Sequence, residues 1–502
     1  MRSTFSGLEL ARRALQTQQV ALNTVGHNIA NANTKGYSRQ EVITSATGPY
    51  TSPSNIRPMK AGQIGTGVSV VAIQRQFDKY TANQWRLENS LLAQWSQKKL
   101  GMEQIEAIFN EPSEGSVRRA VDEFWSALQQ LAIEPTELSS RALVRQAGIT
   151  MVDAFKTMDR QLEQVDRDYD ELLKGAVAEI NSLLNQITDI NRRIVKVTAM
   201  GDYPNDLLDQ RDLMLDKLTE LINVDMEENS RGDLKLSFAG VTLVDFVGLG
   251  TEVARFKEEN GAIILVNSNG DKVTDEEGDE VDVFGNILHG KVKGILDAKD
   301  AVHRYRGHLA EYALGYVDAI NKQHNEGFDL SGENGVAFFV FDGEEIDIAG
   351  LGIDEKIQLI KKLEVNPEIM KNLTKIAARE NFDPENPDAN LGDGSNAVKM
   401  AELRHSGNLS YAGKEVTFDQ YYRAVIADLG IETNETIQMT ENQRALAQQF
   451  ELRQEVFRGV SLDEEMTKMV QYQHSYAAAA RLTTTIDEMI DLIVNRLGIV
   501  GR

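Results

Sequence analysis

The chain contains no cysteine among its 502 residues. Disulfides, thiolate metal ligands and cysteine nucleophiles are excluded together. It is also poor in cations: 53 Lys and Arg stand against 77 Asp and Glu, a formal net charge of −24. Phosphate backbones and anionic lipid surfaces demand clustered Lys and Arg, so neither nucleic acid nor a membrane surface is expected as a partner. No apolar run approaches the roughly 18 residues a membrane span needs. The first fifteen residues are amphipathic rather than basic and then apolar, so no Sec signal peptide is expected there. What remains is ordinary globular material, 41% hydrophobic and 26% charged. At roughly 100–200 residues per domain, the length suggests two to four domains.

The sharpest periodicity lies at the two ends. Leu8, Leu15, Leu22 and Ile29 recur every seven residues, with Ala11, Gln18, Val25 and Ala32 as the companion row. At the other end Met469, Tyr476, Thr483, Ile490 and Leu497 recur in the same way, with Met466, Gln473, Ala480 and Val494 beside them and Asp487 interrupting. These are a/d seams of two helices, each about 40 Å long at 1.5 Å per residue. Neither helix buries its seam alone, so each is expected to pack on the other or on neighbouring copies. Ordinary surface helices of one globular domain would show the same periodicity.

Between the ends the pattern changes twice. Residues 46–75, rich in Gly, Ser, Thr and Pro and including Gly62 to Val70, read as loop and short strands. From Asp78 to about Val224 the pattern is helical, with Pro112 and Pro135 as breaks. One very long helix is expected from about Ser139 to Met200, marked by Leu162, Val165, Tyr169, Leu172, Ile180, Leu184, Ile187, Asn191 and Ile194. From about Asp225 the period switches to two, as in Leu234, Leu236 and Phe238, with turn residues such as Asn269-Gly270-Asp271. Helix resumes from about Lys291 to His324, a mixed segment runs to about Pro387, and helices fill most of 395–497. The expected fold is mainly α with a small β-rich insert. It is nested: a terminal coiled-coil assembly domain (1–45 and 459–502), an elongated helical rod with short β segments (46–224 and 291–458), and an acidic β-rich surface domain (225–290).

Catalytic and metal signatures are weak. Seven histidines form no metalloprotease motif, and His303 and His308, five apart, share no helical face. Asn267, Asn269 and Asp271 resemble the start of a calcium loop, but Lys272 and Gly278 occupy its required Gly and Glu positions. Asp275-Glu276-Glu277 reads as a solvated loop. The glycines from Gly62 to Gly67 fit neither a dinucleotide fingerprint nor a phosphate loop, and no Gly-x-Ser-x-Gly elbow is present. No cofactor, metal or catalytic residue is expected.

The run Ala21 to Gln40, containing Asn28, Asn31, Asn33, Gly36 and Tyr37, resembles the signature of flagellar rod, hook and hook-associated proteins. Lys35 stands where these proteins often carry Pro. Near the C-terminus, Gly459-Val460-Ser461-Leu462-Asp463-Glu464-Glu465-Met466 and Tyr472 to Arg481 resemble the hook-associated protein 1 (FlgK) family, with Arg458 and Ser461 in place of its usual Ser and Asn. Asn205 to Asp212, Gly327 to Asp329 with Phe338-Phe339, and Gly394 to Ala397 are similar to that family as well. Locally, Ser461 and Glu464 have the spacing of a capping box, Asp463 to Glu465 suit a helix start, and Gly36 suits φ > 0.

The resemblance implies a non-enzymatic structural subunit at the hook–filament junction, exported through the flagellar secretion channel without a cleaved signal. It implies a ring of copies, with hook protein and the second junction protein as neighbours and an export chaperone at the C-terminal helix. Leu8, Leu15, Leu22, Val25, Ile29, Met466, Met469, Tyr476, Ile486, Ile490 and Leu497 are the expected assembly contacts, with ends poorly ordered until they meet partners. The alternatives are another axial protein (the hook subunit or the second junction protein), an enzyme-bearing flagellar protein with a pocket in 225–290, and a cytosolic helical scaffold.

Overall fold

The computed structural model describes residues 5–49, 65–109, 116–229, 231–248, 253–259, 262–274, 280–348, 350–386, 390–406 and 409–493. Leu497, Val494, Gly62, Pro112, Asp275 to Gly278 and Pro387 lie outside them.

In chain order the elements are α1 (Ser6–Ala30), β1 (Gln40–Ala46), β2 (Val68–Arg75), α2 (Lys79–Phe109), α3 (Val117–Ile133), α4 (Leu138–Ala199), α5 (Asn205–Leu221), β3 (Asp225–Glu228), β4 (Leu234–Phe238), β5 (Val241–Val244), β6 (Arg255–Glu259), β7 (Ala262–Val266), α6 (Val283–Asn286), α7 (Lys291–Glu326), β8 (Phe339–Phe341), α8 (Ile353–Lys362), β9 (Leu363–Val365), α9 (Pro367–Lys371), α10 (Ser395–Glu402), β10 (Leu409–Tyr411), β11 (Lys414–Val416), α11 (Phe418–Arg458) and α12 (Leu462–Asp491). Among the described residues the sheets are small: four antiparallel strand pairs and one three-stranded sheet, β3-β4-β5. The chain is mainly α with small β elements, as the periodicities predict.

By compactness the chain forms two units. One comprises residues 1–91, 177–290 and 443–502; the other, 92–176 and 291–442. The cut differs from the three nested segments expected from the sequence, because residues 225–290 group with both terminal helices.

The second unit has a core of aromatic and aliphatic side chains. Trp125, 1% exposed, donates from Nε1 to the Tyr316 hydroxyl at 3.1 Å, and Tyr316 stacks on Phe418 with centroids 3.9 Å apart. Phe124 meets Phe338 edge-on at 5.7 Å. Several polar groups inside this core have specific partners. Arg141 is fully buried and donates to the carbonyls of Pro135 (2.8 Å) and Ile376 (2.6 Å); burial brings its pKa down to about 10. Arg306 donates to Asp159 at 2.9 Å, a buried ion pair whose carboxyl is held above its ordinary range by burial, against the pull of that arginine. His324, also fully buried, accepts from Ala377 N–H at Nε2 (2.8 Å), leaving Nδ1 as the donor to Val336 O at 2.5 Å. Burial lowers its pKa to about 4.

Along α4 the inward row reads Leu162, Val165, Tyr169, Leu173 and Val177, then Ile180, Leu184, Ile187, Asn191 and Ile194. Leu172, expected in that row, is 42% exposed, and Leu173 takes the place. The step from Tyr169 to Leu173 is four residues, which keeps the stripe in phase with the helical repeat.

Candidate assembly interface

The first unit brings the two ends of the chain together. Helices α1 and α12 pack antiparallel: Asn28, near the end of α1, bonds Glu465 at the start of α12, and Gly7, near the start of α1, lies against Ile486 toward the end of α12. A Cβ on Gly7 would stand 3.1 Å from Ile486 Cδ1, so the helices approach through small residues. The most buried positions of α1 follow the same logic: Ala11, Thr17, Ala21, Thr24, Val25 and Asn28. Leu8, Leu15, Leu22 and Ile29 are half-buried and flank that line.

On α12 the inward line is Glu465, Met469, Tyr472, Ala479, Thr483, Ile486 and Ile490, all buried or half-buried. Met466 and Tyr476, placed in the seam by periodicity, are 57% and 37% exposed. The heptad register is that of the sequence, but one row is turned by a single residue: Glu465, Tyr472, Ala479 and Ile486 replace Met466, Gln473 and Ala480. Sequence alone favours Met over a glutamate for a buried site, and the partner of that glutamate lies 437 residues away.

That partner is the centre of the site. Asn28, 1% exposed, uses its whole side-chain amide. Nδ2 donates to Glu465 Oε2 (2.9 Å) and Gln40 O (2.9 Å), while Oδ1 accepts from Tyr37 OH (2.7 Å) and Gln40 N–H (3.0 Å). Lys468 Nζ holds the other Glu465 oxygen at 3.0 Å. Four segments of the chain are thus tied at one buried amide, and a buried polar group so matched fixes helix register.

The remaining motif residues set the surrounding turn. Asn31 Nδ2 caps His27 O at 3.1 Å, and Asn33 is exposed. Gly36 has φ +82° and sits where a Cβ would press Leu213 of α5 at 3.3 Å. Tyr37 is pushed above its ordinary pKa by burial, and further by Asp206, Asp209 and Glu465, so it remains a hydrogen-bond donor. Ser461 Oγ accepts from Glu464 N–H at 3.4 Å, capping α12. The capping box expected there is only half formed, because the Glu464 carboxylate pairs with Arg39 at 3.0 Å instead. Leu462 is 49% exposed, and Asp463 is exposed in the first helical turn.

A row of carboxylates on α5 anchors this assembly. Asp206, Asp209, Asp212 and Asp216 share one helical face. Asp206 accepts from Gln40 Nε2 (2.7 Å), and Asp209 accepts from Ser38 N–H (2.9 Å) and Arg75 (2.8 Å). Asp212 and Asp216 hold Arg86 at 3.1 and 2.7 Å. Burial raises the pKa of Asp209 and Asp216 in spite of these arginines. The role of Arg75 and Arg86 is not visible in the sequence, since nothing local links them to the Asn205–Asp212 motif.

The other marked residues fall elsewhere. His303 bonds Asp354 (2.7 Å) and His308 bonds Tyr421 (3.1 Å), so they share no ligand site. Asn267 Oδ1 accepts the N–H groups of Asn269 and Asp271, making an Asx turn of the calcium-like segment. The β-rich segment contributes Asp245 to Gly248, Val253 and Arg255 to an open groove of about 540 Å³ against Asn185 to Arg192 of α4. Among the described residues no helix is long and apolar enough to cross a membrane.

Comparison with known proteins maps onto this architecture. The model of the flagellar hook-associated protein FlgK helical domain matches residues 102–339. The flagella basal body rod protein family matches 8–37, and the flagellar basal body rod FlgEFG protein C-terminal family matches 458–497, so the two fall on the partners of the helix pair. Flagellar hook-associated protein 1 of Bacillus subtilis is 32% identical over the full length of both chains. That of Salmonella typhimurium is 25% identical over 97% of this chain and 98% of its own. The structure of the flagellar hook junction protein FlgK from Burkholderia pseudomallei matches in fold, with a TM-score of 0.61 at 14% identity, covering 74% of this chain and 99% of that one. The chain belongs to the flagellar hook-associated protein 1 (FlgK) family, structural components of the bacterial flagellum.

Proposed function

We propose that the protein is exported without a cleaved signal and assembles as a ring of copies between hook and filament. It contacts hook protein on one side and the second junction protein on the other, and an export chaperone covers its C-terminal helix before assembly. The observation that carries this reading is the α1–α12 pair: the segments matched by the two rod families are joined in one antiparallel unit, and much of its apolar surface remains uncovered. Leu462, Met466, Val470, Leu482 and Met489 on α12 are 42–58% exposed. Burying them on neighbours is worth about 25 cal/mol per Å² before ordering costs.

Leu8, Leu15, Leu22, Val25, Ile29, Met466, Met469, Tyr476, Ile486 and Ile490 are the proposed contacts. Some serve the helix pair and some the neighbours, and Leu497 belongs to the same proposed set. The pairing of α1 and α12 within one chain supports docking of a formed helix pair over folding of two separate ends.

The test is Ile490→Asp in a strain lacking its own junction protein. The variant is expected to keep the second unit folded, by hydrogen exchange at residues 120–170, and to be absent from shed flagella. Normal incorporation would overturn the reading.

A further inference from the structure

With no cysteine in the chain, the sulfur that an oxidant meets is that of methionine. Met102, Met151 and Met400 are wholly buried, whereas Met200, Met370, Met466 and Met489 are the exposed ones among the described residues. Met466, 57% exposed, lies on α12 directly after Glu465, the carboxylate that Asn28 holds.

Leu462, Met466 and Val470 are spaced by four, so they stand one above another along one face of the helix. Leu462 and Val470 are 49% and 51% exposed, and Met466 is the middle of this apolar row. The side chains three and four positions away offer it no hydrogen-bond donor: Leu462, Met469 and Val470 are apolar, and Asp463 is a carboxylate. An oxygen added to the Met466 sulfur therefore finds no donor among these helix neighbours and relies on water. Docking strips that water away, at a cost in free energy.

We infer that Met466 is a modification site through which a peroxide turns docking off. The thioether sulfur attacks one peroxide oxygen and the O–O bond breaks. The sulfur loses two electrons and becomes the sulfoxide, while hydrogen peroxide's second oxygen leaves as water. The thioether keeps the row apolar and continuous. The sulfoxide puts a strong acceptor at its centre, so the subunit stays hydrated there and does not seat on its neighbour. This rests on the reading above that neighbours bury the exposed face of α12, and it adds the chemistry that opposes that contact. A docked subunit has its sulfur covered, so only unassembled copies respond.

The purified full-length chain is treated with hydrogen peroxide and added to hooks isolated from a strain lacking its own junction protein. The bound fraction is read after sedimentation, and peptide masses report which methionines gained oxygen. Binding is expected to fall about tenfold or more, and to return when the methionine sulfoxide reductases A and B remove the oxygen. Met466→Leu keeps the volume and removes the sulfur. After the same treatment it is expected to bind as the untreated chain does, although Met200, Met370 and Met489 are oxidised. Met466→Gln is expected to bind about tenfold less without any peroxide. Equal loss of binding in treated Met466→Leu, or full binding by chain oxidised at Met466, would sink the proposal while leaving self-assembly standing. Failure of the untreated chain to bind the hooks would overturn the self-assembly reading, and this site with it.

Discussion

The interior of the second unit and the terminal helix pair of the first solve the same problem in opposite ways. The former buries Trp125, Phe124, Tyr316, Phe338, Phe339 and Phe418 almost completely and pairs Arg306 with Asp159 among the buried side chains. The latter joins two helices through Gly7, Ala11, Ala21 and Ala479, leaves its leucines half-buried, and pins its register with one amide and one carboxylate. Large side chains on the inside leave that unit's core with little apolar surface to cover. Small ones on the inward face of α1, with its leucines displaced to the flanks, leave apolar surface still available. The second arrangement suits a part that must be soluble alone and adhesive in company.

The contrast can be broken most severely in the second unit. Asp159→Ala leaves Arg306 charged and buried without its partner, and is expected to cost about 3–5 kcal/mol. Denaturant unfolding should show the loss, and hydrogen exchange should place it in residues 120–170 with α1 and α12 unchanged. Equal loosening of the terminal pair would mean the two regions are energetically one.

Acid sharpens the same distinction. His324 is neutral when buried, so the folded chain binds its proton only near pH 4, whereas the unfolded chain binds it near 6.5. Its contribution is intact above about pH 6.5 and falls as the pH drops toward 4, by about 3 kcal/mol at 1.36 kcal/mol per pKa unit. A His324→Gln variant should be less stable at neutral pH and show a shallower decline over that window. An unchanged slope would remove His324 as its cause.

In the helix pair, Asn28→Ala removes the partner of Glu465 Oε2, the Tyr37 hydroxyl and the Gln40 N–H at once. The expected cost is about 2–3 kcal/mol, read as faster exchange in α1 and α12 and unaltered protection at His324. The smallest effect lies in a turn. Ala412 has φ +50°, followed by Gly413 at +76°, in the tight hairpin between β10 and β11. Such turns favour Asn-Gly, so Ala412→Asn should raise the melting midpoint, by about 0.5–1 kcal/mol of stability.

Long-period features are legible in local spacing. The 62-residue α4, the switch to period two near Asp225 and the resumption of helix at Lys291 all follow from the intervals between apolar residues. Leu172 shows where that reading slips: two adjacent leucines fit the stripe almost equally, and only the packing of Leu173 chooses between them. Met466 slips for a different reason, since the residue buried in its stead is a charged one matched by a partner 437 residues earlier.

By itself, the sequence determined which stretches are helical, that the two ends carry seams in want of partners, and which family its motifs resemble, because those are properties of spacing and side-chain type. Only the tertiary structure decided which face of each end turns inward and that Asn28, Glu465, Tyr37 and Gln40 meet at one point. It alone placed Arg75 and Arg86 on the carboxylates of α5. Burying a polar group is favourable only when its partner arrives with it, and the arrival of a partner from a distant part of the chain is not written in either local segment.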